Sequence, residues 1–110
     1  MNNTRTGVLG EELAEIMLLE KGYTILARNF RCRYGEIDII AAKNGVLAFV
    51  EVKTRLFGSC GRGSESVTAA KRQKIRRCAL CYISMCQRRF EAIDFQVVDI
   101  NADHLEGLEF

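Results

Sequence analysis

The chain has 110 residues, 48% hydrophobic and 27% charged, which excludes a disordered chain and predicts one modest core, hence a single domain over residues 1–110. No run approaches the roughly 18 to 20 continuous apolar residues of a membrane span, and carboxylates interrupt the N-terminal stretch early, so neither a signal peptide nor a membrane helix is expected. The net charge of +2 conceals a segregation, with ten basic groups against Glu65 alone in residues 53–89 and six acids without a base in residues 90–110.

From Leu9 to Lys21 the residues Leu9, Leu13, Ile16 and Met17 recur at spacings of three and four, which predicts an amphipathic helix ended by Gly22. Glu12 and Glu15 fall on its wet side, whereas Glu11 lies beside Ala14 and Leu18 at the edge of the apolar arc. Glu11 reads either as a functional carboxylate at the rim of the core or as an N-terminal acid favoured by the helix dipole.

Tyr23–Cys32 reads as a first strand, and Glu36–Ala42 and Val46–Arg55 as stronger ones joined through Asn44-Gly45, the dipeptide a two-residue type I′ hairpin prefers. That turn sets a register in which Ile39 faces Val50, Ala41 faces Ala48 and Ile37 faces Val52, forming one apolar sheet face. Ile40 meets Phe49, Asp38 lies opposite Glu51, and Glu36 lies opposite Lys53. Leu56–Ser66, with three glycines and three serines, reads as a mobile loop. Val67–Gln87 predicts a second helix that buries Ile75, Cys78, Ala79, Tyr82 and Cys86 and turns Arg72 and Arg76 outward. Phe90–Asn101 alternates as a last strand, completing the order α-β-β-β-α-β.

Two carboxylates directly opposed on antiparallel strands stand about 4.5–5.5 Å apart at Cβ and repel. A hard divalent cation compensates them, since Mg²⁺ is commonly held by one or two carboxylates and completed by water and phosphate oxygens. Lys53 lies on the same strand face as Glu51, so Asp38, Glu51 and Lys53 converge on one patch. For phosphodiester hydrolysis the cation would polarise the phosphate and lower the pKa of a bound water, with the lysine orienting that water or meeting developing charge. The plainer reading makes Glu51 and Lys53 ordinary strand residues, Lys53 pairing with Glu36.

The run Gly35-Glu36-Ile37-Asp38 followed by Phe49-Val50-Glu51-Val52-Lys53-Thr54-Arg55 resembles the PD-(D/E)xK nuclease superfamily. More closely it resembles the YraN-like bacterial family, which is similar to archaeal Holliday junction resolvases. Gly7, Gly10, Glu11 and Ala14 match that family's first helix, Gly22-Tyr23 and Asn29 its first strand, and Val67 with Lys71 its second helix; Ile37 stands where the superfamily name has proline. The resemblance implies an α/β, restriction endonuclease-like αβββαβ core with a central mixed sheet flanked by helices. It also implies a metal site for Mg²⁺ or Mn²⁺ from Glu11, Asp38 and Glu51, with Lys53 as catalytic lysine.

The basic block admits two readings, because a phosphate backbone attracts such charge and a solvated helix face has the same composition. In the first, Arg55, Lys71, Arg72, Lys74, Arg76 and Arg77 contact nucleic acid, with DNA the expected partner. A nuclease of this size has little surface to grip a duplex, which favours a homodimer. The alternative to cleavage is a nucleic-acid-binding module or repair-complex partner with a vestigial site, and a plainer alternative is a protein-interaction domain.

The five cysteines, an odd count, predict reduced thiols in a cytoplasmic setting. Cys78-x-x-Cys81 with Cys86 reads as small buried hydrophobes in preference to a zinc site, because the spacing lies within a helix and His104 is the only histidine. Cys60 among basic residues could be a reactive thiol. Ser59, Ser64 and Ser66 have no histidine nearby in sequence, and the loop glycines are not followed by the Gly-Lys-Ser/Thr of a phosphate-binding loop. Arg62 is a further candidate for substrate contact from its charge and glycine-rich setting.

Overall fold

A computed structural model describes residues 2–55 and 68–101, with side chains for 9–54 and 68–101. The elements run α1 (Asn2–Glu20), β1 (Thr24–Cys32), β2 (Gly35–Lys43), β3 (Val46–Arg55), α2 (Ala69–Met85) and β4 (Ala92–Asn101). The mixed α/β order is the expected αβββαβ. The expectations for Leu56–Ser66, including Ser59, Cys60, Arg62, Ser64 and Ser66, and those for Val67 and His104 lie outside the described residues, as does the side chain of Arg55.

The four strands form one sheet in the order β1-β2-β3-β4. The first two pairings are antiparallel, and β3 runs parallel to β4, a connection that requires a crossover and obtains it across α2. Asn44 and Gly45 have φ of 53° and 81°, the left-handed values a type I′ turn demands at both central positions. The hairpin register follows from that turn: Lys43 pairs with Val46, Ala41 with Ala48, Ile40 with Phe49 and Ile39 with Val50.

Two clusters sandwich the sheet. On one side Ala14 and Leu18 of α1 pack on Ile39, Ala41, Ala48 and Val50; on the other Cys78 and Ala79 of α2 pack on Ile37, Ile40, Leu47 and Phe49. Ile37 was expected on the face of Ile39 and Ala41, and it lies on the opposite one. The β1–β2 pairing explains why: Ala27 pairs with Ile40 and Phe30 with Ile37, three residues apart on each strand, and all four belong to the α2 side. The strands turn over between these pairs, where Asn29 takes a φ of 54°. Asp38 sits at that turnover, and the β2–β3 ladder ends at Ile39↔Val50 without reaching the expected Asp38/Glu51 and Glu36/Lys53 rungs.

Helix α1 also differs from its expected phase and length. Among its described side chains the buried positions are Gly10, Leu13, Ala14 and Leu18, while Leu9 and Ile16 stay 45% and 46% exposed. The i, i+4, i+8 row of Gly10, Ala14 and Leu18 offers smaller side chains and allows closer approach to the sheet. A Cβ on Gly10 would run into the Thr54 hydroxyl, so glycine brings α1 against β3 at the level of Glu11. Thr68 caps α2 by accepting a hydrogen bond from the Lys71 N–H at 3.2 Å. Cys86 forms its C-cap and is half-buried. On edge strand β4, Ile93, Phe95 and Val97 are about half exposed, with Phe95 stacked on Phe49 at 5.6 Å.

Candidate active site

Asp38 is half-buried where β2 parts from β3, and its Oδ2 accepts a hydrogen bond from the Val52 N–H at 2.7 Å. The carboxylate thereby takes up a backbone donor that the shortened ladder no longer pairs. Burial pushes its pKa up to about 6; the Val52 hydrogen bond opposes this, and the charges of Glu51, Glu11 and Glu36 reinforce it. Four carboxylates therefore share one electrostatic neighbourhood.

Glu11 stands in the middle of α1, not in its first turn, so the helix dipole does not account for it. Its side chain is 18% exposed and meets Arg28 at 3.3 Å, the other guanidinium nitrogen lying 3.2 Å from Glu15. Glu15, expected in open solvent, is thus drawn into the site by Arg28. With the Asn29 amide nitrogen turned toward the acids, it donates to Glu36 at 3.0 Å and to Glu11 at 3.3 Å. Glu36 also lies 3.7 Å from Arg31, so its partners are on β1 and not the expected Lys53.

Glu51 and Lys53 are half-buried on β3. Burial raises the Glu51 pKa, opposed by the charges of Lys71 and Lys53 and assisted by those of Glu36 and Glu11. Lys71, read from sequence as a phosphate contact, thus reaches the acid cluster from the first turn of α2. Sequence reasoning missed Arg28, Glu36 and Asn29 as site residues. A strand asparagine that tolerates left-handed backbone was the available signal.

The carboxylates are hard oxygen donors, with Arg28 against Glu11 and Glu15 and the charges of Lys53 and Lys71 acting on Glu51, a donor chemistry that suits a divalent cation held by one or two carboxylates and water. Asp38, Glu51 and Glu11 are the carboxylates whose charges act on one another here, and Glu11 would have to exchange its Arg28 contact to serve as a ligand. Among the described residues, no three Asp, Glu, His or Cys side chains already form a metal-binding group.

Lys71, Arg72, Lys74, Arg76 and Arg77 are all exposed on α2. A cavity of about 310 Å³ opens beside Glu51, with Ile37, Phe49, Ile75 and Phe95 as apolar walls and Arg72 and Arg76 among its lining. No described helix is long and apolar enough to cross a membrane.

The chain is 42% identical over 109 residues to a UPF0102 protein of Thermodesulfovibrio yellowstonii, covering 99% of this chain and 96% of that one. It is 48% identical over 94 residues to a UPF0102 protein of Nocardia farcinica, covering 86% and 74% respectively. A third UPF0102 protein, from Syntrophomonas wolfei, is 44% identical over 98 residues, or 89% of this chain and 85% of the relative. Residues 10–99, which hold the acid cluster, Lys53 and the basic helix, match the model of "Uncharacterised protein family UPF0102", and the chain belongs to that family.

Proposed function

We propose that the protein is a metal-dependent endonuclease that hydrolyses DNA phosphodiester bonds, with branched or otherwise structured DNA as the substrate class. The observation that carries this reading is the gathering of Glu11, Asp38 and Glu51 from three elements into one electrostatic cluster, with Lys53 beside it. Asp38, Glu51 and Glu11 would hold Mg²⁺ or Mn²⁺, which supplies charge to polarise the phosphate and lowers the pKa of a bound water. The Val52 N–H engages Asp38 Oδ2, and Oδ1 would be the oxygen offered to the cation. Lys53 orients the attacking water or meets negative charge developing on the phosphate. Lys71, Arg72, Lys74, Arg76 and Arg77 hold the flanking phosphates and set the position of the strand without reading its sequence.

The contact between Arg28 and Glu11 at 3.3 Å favours a second reading, in which the cluster is neutralised internally and the domain binds nucleic acid without cutting it. The test is cleavage of labelled single-stranded, duplex and four-way-junction DNA in Mg²⁺ or Mn²⁺, beside folded Asp38→Ala and Lys53→Ala proteins. Cleavage lost in both variants supports the nuclease. Salt-sensitive binding that survives EDTA and Lys53→Ala, with no cleavage by the unmutated protein, supports the binding module.

A further inference from the structure

The turnover of β1 and β2 that places Asp38 also brings the end of β1 against α2. There the sulfurs of Cys32 and Cys78 lie 3.0 Å apart, although 46 residues separate them in the chain. Cys81, one helical turn beyond Cys78, reaches the same sulfur of Cys32. The Tyr34 N–H also points at it, at 3.4 Å. Cys32 is half-buried beside the turn into β2, whereas Cys78 is fully buried. This is an asymmetric pair in which one residue is partly exposed and its sulfur accepts a backbone N–H, and the other is fully buried against it.

We infer that Cys32 is a hydroperoxide-reactive thiol and that Cys78 is the partner with which it closes a disulfide, tying the end of β1 to the basic helix α2. Burial alone would raise the Cys32 pKa, but the hydrogen bonds from Cys78, Tyr34, Gly35 and Cys81 bring it below the ordinary thiol value, which enlarges the thiolate fraction. In the first step the Cys32 thiolate attacks one oxygen of hydrogen peroxide. The S–O bond forms as the O–O bond breaks, and the departing hydroxide is protonated to water. Sulfur loses two electrons and the peroxide gains them.

In the second step the Cys78 sulfur attacks the sulfenic sulfur of Cys32. The S–S bond forms as the S–O bond breaks, and the Cys78 proton leaves with the hydroxyl as water. The Cys78 pKa is pushed up to about 12 by burial, then by its hydrogen bond to Cys32 and the Cys32 charge. The last two effects disappear once Cys32 carries a neutral sulfenic acid, so the first step prepares the second thiol for attack.

The test uses the full chain with Cys60→Ser, treated with hydrogen peroxide in the absence of metal and DNA, so its outcome is independent of nuclease activity. The expected result is loss of about 2 Da, a mapped Cys32–Cys78 cross-link, and reaction at Cys32 about tenfold or more faster than with glutathione. Cys81→Ser is expected to behave as the parent, and Cys78→Ala combined with Cys81→Ser to accumulate a dimedone-reactive sulfenic acid at Cys32. The cross-link map of the parent decides the pairing even if a Cys78 variant fails to fold. Reaction at Cys32 no faster than with glutathione, or a cross-link from Cys32 to Cys81, would overturn the inference.

Discussion

The Asp38 carboxylate accepts the Val52 N–H at 2.7 Å beyond Ile39↔Val50, the last rung of the β2–β3 ladder. A side chain thus completes a sheet that its own strand has left, and the cost is a half-buried charge beside three other acids. Because Asp38 titrates near 6 against an ordinary 3.8, the native state holds its proton more tightly than the unfolded chain does. This contribution to stability is present below about pH 4 and declines as pH rises through about 6. Allowing for solvent screening, the loss is on the order of 1–2 kcal/mol.

Asp38→Asn keeps an oxygen for the Val52 N–H and removes the charge. It is expected to raise Tm at pH 7, without metal, by about 4–8 °C per kcal/mol recovered, with the gain fading at pH 4. Thermal unfolding at both pH values checks this. A lower Tm than wild type at pH 7 would show that the charge is not the source of strain.

A cation held as proposed would relieve the same repulsion, so Mn²⁺ affinity is expected to weaken as pH falls below about 6, where protons compete for Asp38. Asp38→Ala and Glu51→Ala should each weaken binding by about tenfold or more, equivalent to roughly 1.4 kcal/mol. Lys53→Ala should leave binding in place while abolishing cleavage. Titration calorimetry beside the cleavage assay separates these effects.

Arg28 bridges Glu11 and Glu15 from β1, and its Nε is buried without a partner. Arg28→Ala is expected to cost about 1 kcal/mol of stability, since these ion pairs remain in contact with solvent. It should also tighten Mn²⁺ binding by freeing Glu11. Unchanged metal affinity in a folded Arg28→Ala protein would remove Glu11 from the ligand set.

Gly10→Ala places a methyl group against Thr54, a β-branched residue with little freedom to move aside. The expected cost is about 1–3 kcal/mol by denaturant unfolding. Thr54→Ala in the same chain should recover most of it. Failure of the second substitution to rescue would place the cost in the helix and not in its packing on β3.

The basic face of α2 is tested by salt. Replacing Arg72, Lys74 or Arg76 by alanine removes one cation from the phosphate backbone, and each replacement should reduce the slope of log affinity against log salt by about 0.9 on duplex DNA. A slope unaffected by all three substitutions would assign that face to solvation.

The amino-acid sequence by itself determined the element order and the hairpin register as far as Ile39↔Val50, and it named the residues on which the proposal rests. Those properties are local: Asn44-Gly45 admits the two positive φ values of a tight turn, and the strand period then sets the pairs up to Ile39↔Val50. From helix geometry Glu11 was legible only as a carboxylate at the edge of an apolar arc, and its grouping with the strand acids came from the family resemblance. The phase of α1 was not legible, because Leu9 and Ile16 are as apolar as the residues that are buried, and only the close approach to Thr54 favours the row containing Gly10.

Tertiary structure alone decided where the alternation breaks. The left-handed turnover at Asn29 reverses the faces of β1 and β2, sends Ile37 to the side of α2, and frees Asp38 to take the Val52 N–H. It also decided that Arg28 holds Glu11 and that Cys32 meets Cys78. Periodicity describes neighbours along one element, whereas these contacts depend on how closely different elements approach.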